Sequence, residues 1–167
     1  MNGVYIRKLA PDDFAQRALP FLDKGLPATV KRPLSADYVK QVLPLIQERA
    51  RTLTEIAELT EFFFVEELNY PTEMLIGKNM TREATIGALQ ASQPLIEAVP
   101  FEIEPLESAF RPLSEKLGLK TGQFFGVLRV AFTGRTVSPP LFQTMAVLGR
   151  KQCLKRLQMA LAKLAEP

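Results

Sequence analysis

Apolar residues recur at helical spacing along most of the chain. Between residues 36 and 53, Tyr38, Val42, Leu45 and Ile46 fall near one face of a helix. The next segment, residues 55–67, has apolar residues on one side and glutamates largely on the other, the pattern of an amphipathic helix. Sustained alternation of apolar and polar residues, which would indicate strands, does not occur. We therefore predict an all-α fold.

Capping residues and helix breakers divide the rest of the chain into further segments. Serine or threonine stands where several of the helical patterns start, and glycine stands where several of them end, as expected for N-caps and C-terminal caps. The predicted helices cover residues 82–99, 106–117, 122–132 and 150–165, with another opening at Ser138-Pro139; Ser35, Thr81, Thr121 and Ser138 are the predicted N-caps, and Gly118, Gly134 and Gly149 the predicted ends.

A proline-rich step at residues 100–105 interrupts the helical pattern. We take it as the candidate boundary between two small helical subdomains, residues 1–100 and residues 101–167. The second of these is strongly basic.

Composition supports a packed, soluble protein. The chain has 167 residues, of which 47% are hydrophobic and 23% charged, and its mean hydropathy is +0.03. That balance is typical of a globular domain with its own core. Apolar runs fall short of the ~20 residues that span a bilayer, and residues 1–11 lack the apolar stretch of a signal peptide. We expect a cytoplasmic protein.

The chain has no histidine and one cysteine. The absence of histidine removes the commonest general base and metal ligand, and with them Ser-His and Cys-His nucleophile pairs. A single cysteine excludes an internal disulfide and a site of paired thiolates. Cys153 itself falls in a helical pattern, where a packed thiol is the expected role. We predict no catalytic residues, no metal site and no cofactor in this chain.

Charge is strongly segregated along the sequence. Residues 1–51 carry a net charge of +4, residues 52–115 carry −9, and residues 116–167 carry +8. The last segment has nine basic residues and a single acidic one, Glu166, which is typical of a surface that meets a polyanion such as nucleic acid. The alternative is that these bases pair with the acidic middle of the chain.

Two short patterns were weighed against simpler explanations. Gly77-Lys78 lacks the remainder of a phosphate-binding loop, because Thr72 stands where that motif has its first glycine and Asn79 follows the lysine. Three consecutive phenylalanines, residues 62–64, are able to stack on a base, but at least two of them are expected in the core of an amphipathic helix.

The basic segment resembles a known family. Residues 122–134 (GQFFGVLRVAFTG), 138–142 (SPPLF) and 148–150 (LGR) are similar in order and spacing to the carboxy-terminal part of bacterial glutamyl-tRNA synthetases. Residues 1–7 (MNGVYIR) resemble the segment after the catalytic region of that family, and residues 48–53 (ERARTL) with 62–64 (FFF) resemble its helical middle. The resemblance covers essentially the whole chain, and Met1 corresponds to an internal methionine.

The resemblance implies an isolated anticodon-binding region, in which two all-α subdomains form a cage around the anticodon loop. Its parent would attach glutamate to tRNA with ATP and magnesium, both bound by a catalytic domain that this chain has no room for. The implied partner is the anticodon stem-loop of the glutamate tRNA. We expect a monomer that binds RNA without catalysis of its own.

The same resemblance assigns roles to the basic segment. It places Arg129 at the anticodon, where a guanidinium donates to a base edge or stacks on a base, and Arg135 follows closely. The alternative for Arg129 is an ordinary surface charge near a helix end. Ser138 is foremost an N-cap and Pro139 a first-turn proline at the start of the next helix.

Four further residues complete the predicted RNA-binding set. By resemblance, the exposed amides and side chains of Leu141 and Phe142 lie close to an anticodon base, although Phe142 also fits a core position. Arg49 and Arg51 match a basic position of the family at which one arginine tests an anticodon base. Which of the two does so is open, and both also fit ordinary helix-surface charge.

Two other functions remain as alternatives. A helical protein-interaction module would use the acidic middle or the basic tail to dock on a partner. A basic amphipathic surface, residues 150–163, would instead bind anionic membranes. We favour RNA and expect no membrane partner.

Overall fold

The computed structural model describes residues 2–166, so Met1, which the resemblance aligned with an internal methionine, and Pro167 lie outside the described residues. Residues 2–166 form nine α-helices and two short 3-10 turns, and no strand is found among them. The predicted all-α fold is confirmed. The chain divides into two compact units, Met1–Glu66 and Glu67–Pro167.

The first unit has four α-helices: α1 (Gly3–Lys8), α2 (Pro11–Gly25), α3 (Ala36–Ile46) and α4 (Ile56–Phe64), with a 3-10 turn at Leu53–Glu55. Pattern analysis defined no individual helix before residue 36. The signals for α2 are nonetheless present, because Pro11 opens it, Asp12 and Asp13 lie in its first turn and Lys24 lies in its last.

Helices α2, α3 and α4 pack pairwise around the core of the first unit. An added Cβ at Gly25 would lie 2.5 Å from the Cβ of Ala57, so the end of α2 approaches α4 too closely for a larger residue. The residues buried in this core include Ile6, Phe14, Ala18, Leu22, Val39, Leu43, Ile46 and Ile56.

Two helices of the first unit are shorter than predicted. Helix α3 starts after Ser35, whose hydroxyl accepts from the Tyr38 amide as predicted, but it ends at Ile46 rather than near residue 53. The Arg49 and Ala50 amides both donate to the Ile46 carbonyl in a turn, and the Arg51 amide then donates to Glu55 Oε2 at 2.9 Å rather than continuing the helix. In α4, Phe62 and Phe63 are buried, which confirms the core role for two of the three phenylalanines.

The second unit contains a 3-10 turn at Thr72–Met74 and five α-helices: α5 (Arg82–Ala98), α6 (Ile103–Lys116), α7 (Thr121–Thr133), α8 (Leu141–Leu148) and α9 (Arg150–Ala165). Thr81 caps α5, as predicted, by accepting from the Ala84 amide at 3.0 Å. Gly134 ends α7 at a φ of 70°, in the left-handed region that favours glycine.

The division after Glu66 differs from the boundary that the proline-rich step suggested at residue 100. Helix α5 packs along α9 and also contacts α6 and α7. These contacts keep α5 in the second unit, while residues 99–102 only turn the chain between α5 and α6. A proline-rich step marks a turn between helices as readily as a domain boundary.

The core of the second unit is rich in aromatic side chains. Phe110 and Phe124 stack with their centroids 6.1 Å apart, and both are fully buried. Other fully or almost fully buried residues are Leu89, Ile96, Leu128, Phe132, Met145, Cys153, Leu157 and Ala160. In the part of the chain that is described, none of the helices is long and apolar enough to cross a membrane.

Candidate nucleic-acid interface

Several of the nine basic residues in the tail hold the second unit together. Arg150 donates through Nε to the Ile96 carbonyl at 3.0 Å and through Nη2 to the Val99 carbonyl at 2.6 Å, which satisfies the C-terminal end of α5. Lys163 Nζ donates to the Tyr70 carbonyl at 2.9 Å. These side chains are committed to backbone carbonyls within the unit.

Arg156 is a buried member of the same set. Its Nη1 donates to the Phe132 carbonyl at 2.6 Å, near the C-terminal end of α7. With its carbonyl oxygen turned toward Arg156, the Gln152 side chain accepts from Nε and Nη2 at 3.1 Å each. Of the nine basic residues, Arg156 alone is buried; Arg150 is exposed and Lys163 half-exposed despite their carbonyl contacts, and the others that are exposed or half-exposed are Lys116, Lys120, Arg129, Arg135, Lys151 and Lys155.

Arg129, from α7, braces the loop between α7 and α8, residues 134–140. Its Nη1 donates to Ser138 Oγ at 2.6 Å and to the Pro139 carbonyl at 2.9 Å, with the Ser138 carbonyl at 3.4 Å. The guanidinium is half-buried. Three of the predicted site residues are therefore joined by direct hydrogen bonds.

Two threonines fix the same loop from its ends. Thr133 Oγ1 lies 2.7 Å from the Arg129 carbonyl and accepts from the Arg135 amide at 3.1 Å. At the other end, Thr144 Oγ1 donates to the Pro140 carbonyl at 2.9 Å. A loop held by both ends and by Arg129 presents its outer side chains in one arrangement.

The structure corrects the role assigned to Ser138. Helix α8 starts at Leu141 with Pro140 as its N-cap residue, so Ser138 is not the cap. Prolines at 139 and 140 favour an extended conformation in the residue before each of them, which delays the start of the helix. Freed from capping, the Ser138 hydroxyl binds Arg129 instead.

The side chains of Leu141 and Phe142 are only 4% and 7% exposed, so the expectation of exposed side chains is wrong. The Phe142 ring lies 6.0 Å from Phe110 and 5.1 Å from Phe125, centroid to centroid, within the aromatic core. The core position considered for Phe142 is confirmed. The sequence left Phe142 between a core position and an RNA contact, because two successive prolines obscure where the helix starts.

Val137 is a surface residue that sequence analysis missed. Its side chain is 68% exposed on the braced loop, between Thr136 and Ser138. The available signal was weak: an apolar residue in a short loop beside Arg135. The loop therefore presents an apolar side chain next to a basic residue.

Arg49 and Arg51 lie in the first unit, on the segment that connects α3 to the 3-10 turn, and both are exposed. The start of α1 packs against this segment, since a Cβ built on Gly3 would lie 3.1 Å from the Ala50 carbonyl oxygen. The structure thus places both arginines on the surface, with the buried Ala50 between them in the chain.

Burial favours the neutral forms of Cys153 and Tyr70 in the second unit. Burial raises the pKa of Cys153 from its ordinary value of 9.0 to about 12, although the charge of Arg156 lowers it. Burial raises the pKa of Tyr70 from 10.0 to about 12 against the same charge. A buried thiol of this kind is packed and inert, and among residues 2–166 no group of acidic or cysteine side chains is arranged to hold a metal.

Comparisons with known proteins agree with the resemblance. Residues 13–161 match the profile of a family described as an anticodon binding domain. A glutamate–tRNA ligase from Dehalococcoides mccartyi strain CBDB1 is 48% identical over 99% of this chain and 34% of that protein. Another from Roseiflexus castenholzii is 45% identical over 99% of this chain and 33% of that protein.

Solved structures show the same fold. The crystal structure of a glutamate tRNA ligase from Elizabethkingia meningosepticum matches 98% of this chain and 31% of its own chain, with a TM-score of 0.77 and 21% identity. The chain spans about a third of the length of the relatives that it matches. Since the family profile covers most of the sequence, the chain belongs to the anticodon-binding domain family.

Proposed function

We propose that this chain recognises the anticodon loop of a glutamate tRNA, as the RNA-binding portion of a glutamate–tRNA ligase. The observation that carries the proposal is the loop at residues 134–140, which Arg129 braces in a domain of the anticodon-binding family. Catalysis belongs to the remainder of the enzyme, which would join glutamate to tRNA in the cytoplasm with ATP and magnesium. We propose that the chain acts as a monomer.

The brace suits recognition of unpaired bases. Proteins bind RNA loops by splaying bases onto aromatic or guanidinium planes and by donating to their edges, while basic side chains hold phosphates. Arg129 Nη1 is bound to the loop, so the half-exposed guanidinium plane is held in one orientation. In this proposal Arg129 contacts a base and the neighbouring Arg135 holds a phosphate.

The start of α8 adds backbone groups to this site. Pro139 and Pro140 have no N–H, so the amides of Leu141 and Phe142 are the first donors of the helix. We propose that any contact of these two residues with the same base region is made by these amide donors, since the residues as a whole are only 4% and 7% exposed. Ser138 and Pro139 contribute by holding Arg129 in place.

In the first unit, the proposal assigns a second base contact to Arg49 or Arg51. Both residues are exposed and lie two positions apart, so single substitutions at each distinguish their contributions. Changing the arginine that contacts a base to alanine should remove discrimination at one anticodon position. Changing the other arginine should lower the affinity for all stem-loops equally.

The test is fluorescence-polarisation binding to the glutamate-tRNA anticodon stem-loop and to single-base anticodon variants at fixed moderate salt. The wild-type chain should discriminate by ~1 to 3 kcal/mol for a base that it contacts. Arg129→Ala should abolish the preference at one position. Ser138→Ala keeps the guanidinium but removes one of its acceptors, so it should weaken the preference by a smaller factor.

Arg17→Ala is the control, because Arg17 is an exposed arginine on α2 outside the proposed site. It should reduce affinity slightly and equally for every stem-loop. Equal binding of all anticodon variants by the wild-type chain would contradict anticodon recognition and favour the protein-interaction module.

A further inference from the structure

The braced loop, residues 134–140, is contacted at its first residue by a segment from the start of the second unit. A Cβ built on Gly134 would lie 3.2 Å from Tyr70 Cδ1 and 3.6 Å from Leu68 Cβ. Tyr70 is only 6% exposed, and its ring packs against the end of α7. A displacement of Tyr70 therefore changes the space in which the loop leaves the helix.

Lys163, in the last turn of α9, holds Tyr70 by two contacts. Its Nζ donates to the Tyr70 carbonyl at 2.9 Å. The same Nζ lies 4.8 Å from the centroid of the Tyr70 ring, within the range of a cation–π interaction. One side chain thus fixes both the backbone and the ring of Tyr70.

The end of α9 is itself anchored to the start of α5. Arg82 Nη1 donates to the Leu164 carbonyl at 2.7 Å and to the Glu166 carbonyl at 3.0 Å. These bonds satisfy carbonyls at the C-terminal end of α9, where intrahelical donors are lacking. Lys163 therefore holds Tyr70 from a fixed helix end rather than from a frayed one.

The last turn of α7 is held by the same helix, since Arg156 of α9 donates to the Phe132 carbonyl at 2.6 Å. The residues around this contact enclose only about 10 Å³, about the least space that a water molecule needs. They are Leu68, Tyr70, Ala131, Arg156, Met159 and Lys163. Packing this tight couples the end of α7 to the position of Tyr70.

We propose that Lys163 and Tyr70 are positioning residues for base recognition and act through Gly134 without touching the RNA. By holding Tyr70 against Gly134, Lys163 fixes the direction in which the loop leaves α7. That direction sets the place of Ser138 and Pro139, whose oxygens orient Arg129. The proposal rests on the function proposed above and adds residues that determine its specificity.

A role of this kind affects specificity more than affinity. Basic side chains on phosphates supply most of the sequence-independent affinity for RNA, and they stay in place when the loop loosens. Discrimination between bases needs donors held at fixed positions. Loss of the Lys163 contacts should therefore lower the ratio of affinities for different stem-loops rather than all affinities together.

Lys163→Met tests the proposal, because it removes the donor and the charge but keeps a side chain of similar length. The readout is the ratio of affinities for the cognate stem-loop and for the stem-loop changed at the base whose recognition Arg129→Ala abolishes. Lys163→Met should lower this ratio by about threefold or more. Lys163→Arg, which donates to a carbonyl and stacks on a ring as lysine does, should restore it to within about twofold of the wild-type value.

Lys155→Met is the matched control, because Lys155 is an exposed lysine of the same helix. It should lower the affinity for all stem-loops equally and leave the ratio within about twofold of the wild-type value.

Hydrogen exchange in the RNA-free chain gives a second readout. Lys163→Met should speed exchange at the amides of residues 134–138 by about threefold or more and leave the amides in the middle of α5 unchanged. A purely structural role would instead speed exchange throughout the second unit.

Three results with Lys163→Met overturn the proposal: an unchanged ratio, an equal loss of affinity for every stem-loop, or faster exchange throughout the second unit. Failure of Lys163→Arg to restore the ratio also overturns it. If the wild-type chain and Lys163→Met discriminate equally among anticodons, the proposed function stands and the positioning role falls. A wild-type chain that binds all stem-loops alike, or none, overturns both.

Discussion

A thiol surrounded by apolar side chains and one buried guanidinium reports on the integrity of the second unit. Cys153 is fully buried, and its Sγ lies 3.8 Å from the Met145 carbonyl oxygen. Since thiol reagents react with the accessible thiolate, the native protein should react with a disulfide reagent at pH 8 at least about 100-fold more slowly than the unfolded chain. Absorbance of the released thiolate, with and without guanidinium chloride, measures both rates.

The raised pKa of Cys153 also predicts the pH dependence of stability. The thiol titrates near 9 in the unfolded chain and near 12 in the folded one, so the unfolded state loses its proton first as the pH rises. The free energy of unfolding should be insensitive to this group below about pH 9 and should fall between about pH 9 and 12. Cys153→Ala should make urea-unfolding curves less pH-dependent across that range, and an unchanged dependence would contradict the assignment.

At single positions, the sequence showed which residues lie near the loop at 134–140 better than it showed what their side chains do. Ser138 was identified, yet its hydroxyl binds Arg129 rather than capping α8, because two successive prolines move the helix start to Leu141. Phe142 packs in the aromatic core, one of the two positions that the sequence left open for it. A short sequence pattern identifies candidate residues. It does not predict where their side chains point, because that depends on tertiary contacts.

At the level of helices, glycines with different backbone geometry should respond in opposite ways to alanine. Gly134 has a φ of 70°, and a Cβ there would lie 3.2 Å from Cδ1 of Tyr70, so Gly134→Ala should destabilise the protein by about 1 to 2 kcal/mol. Gly87 lies within α5 with open space around it, so Gly87→Ala should stabilise by about 0.5 to 1 kcal/mol. Chemical denaturation of the two variants measures both, and equal effects would contradict the role of φ.

Helix prediction succeeded where caps and periodicity agreed. Helix α9 begins and ends as predicted at residues 150 and 165, because Gly149 starts it and its apolar positions are regular. Helix α3 was predicted seven residues too long, since residues 47–53 continue the apolar spacing although their amides bond to a turn and to the Glu55 side chain. Hydrogen bonds of this kind compete with helical hydrogen bonds for the backbone amides, and they leave no mark on the spacing of apolar residues in the sequence.

At the scale of the whole chain, the connection between the two compact units is the expected site of first proteolysis. Glu66 and Glu67 are exposed and lie outside the helices, whereas Glu58 and Glu61 are part of α4. A glutamate-specific protease should therefore cut after Glu66 or Glu67 before it cuts inside α4, because cleavage needs locally unfolded backbone. Mass spectrometry of early time points identifies the first site, and initial cleavage within α4 would contradict this division.

The charge pattern predicted a basic surface, and the structure shows that three of the basic residues also make contacts inside the unit, although only Arg156 among them is buried. Arg150, Arg156 and Lys163 belong to the nine bases of the tail, but each donates to a backbone carbonyl inside the second unit. Sequence shows the sign and number of charges. It does not show which of them satisfy helix ends, since that depends on neighbours more than twenty residues away.

A single residue, Gly149, joins α8 to α9, and its φ of 86° and ψ of 159° belong to a region that only glycine occupies readily. Because a single residue connects them, α8 and α9 have little freedom to move relative to each other. A displacement of α8 at its loop end must therefore either rotate the chain about Gly149 or carry α9 with it, and α9 packs along α5. A displacement of residues 134–140 is therefore transmitted through α8 and Gly149 to α9, and from α9 to α5, which packs along it.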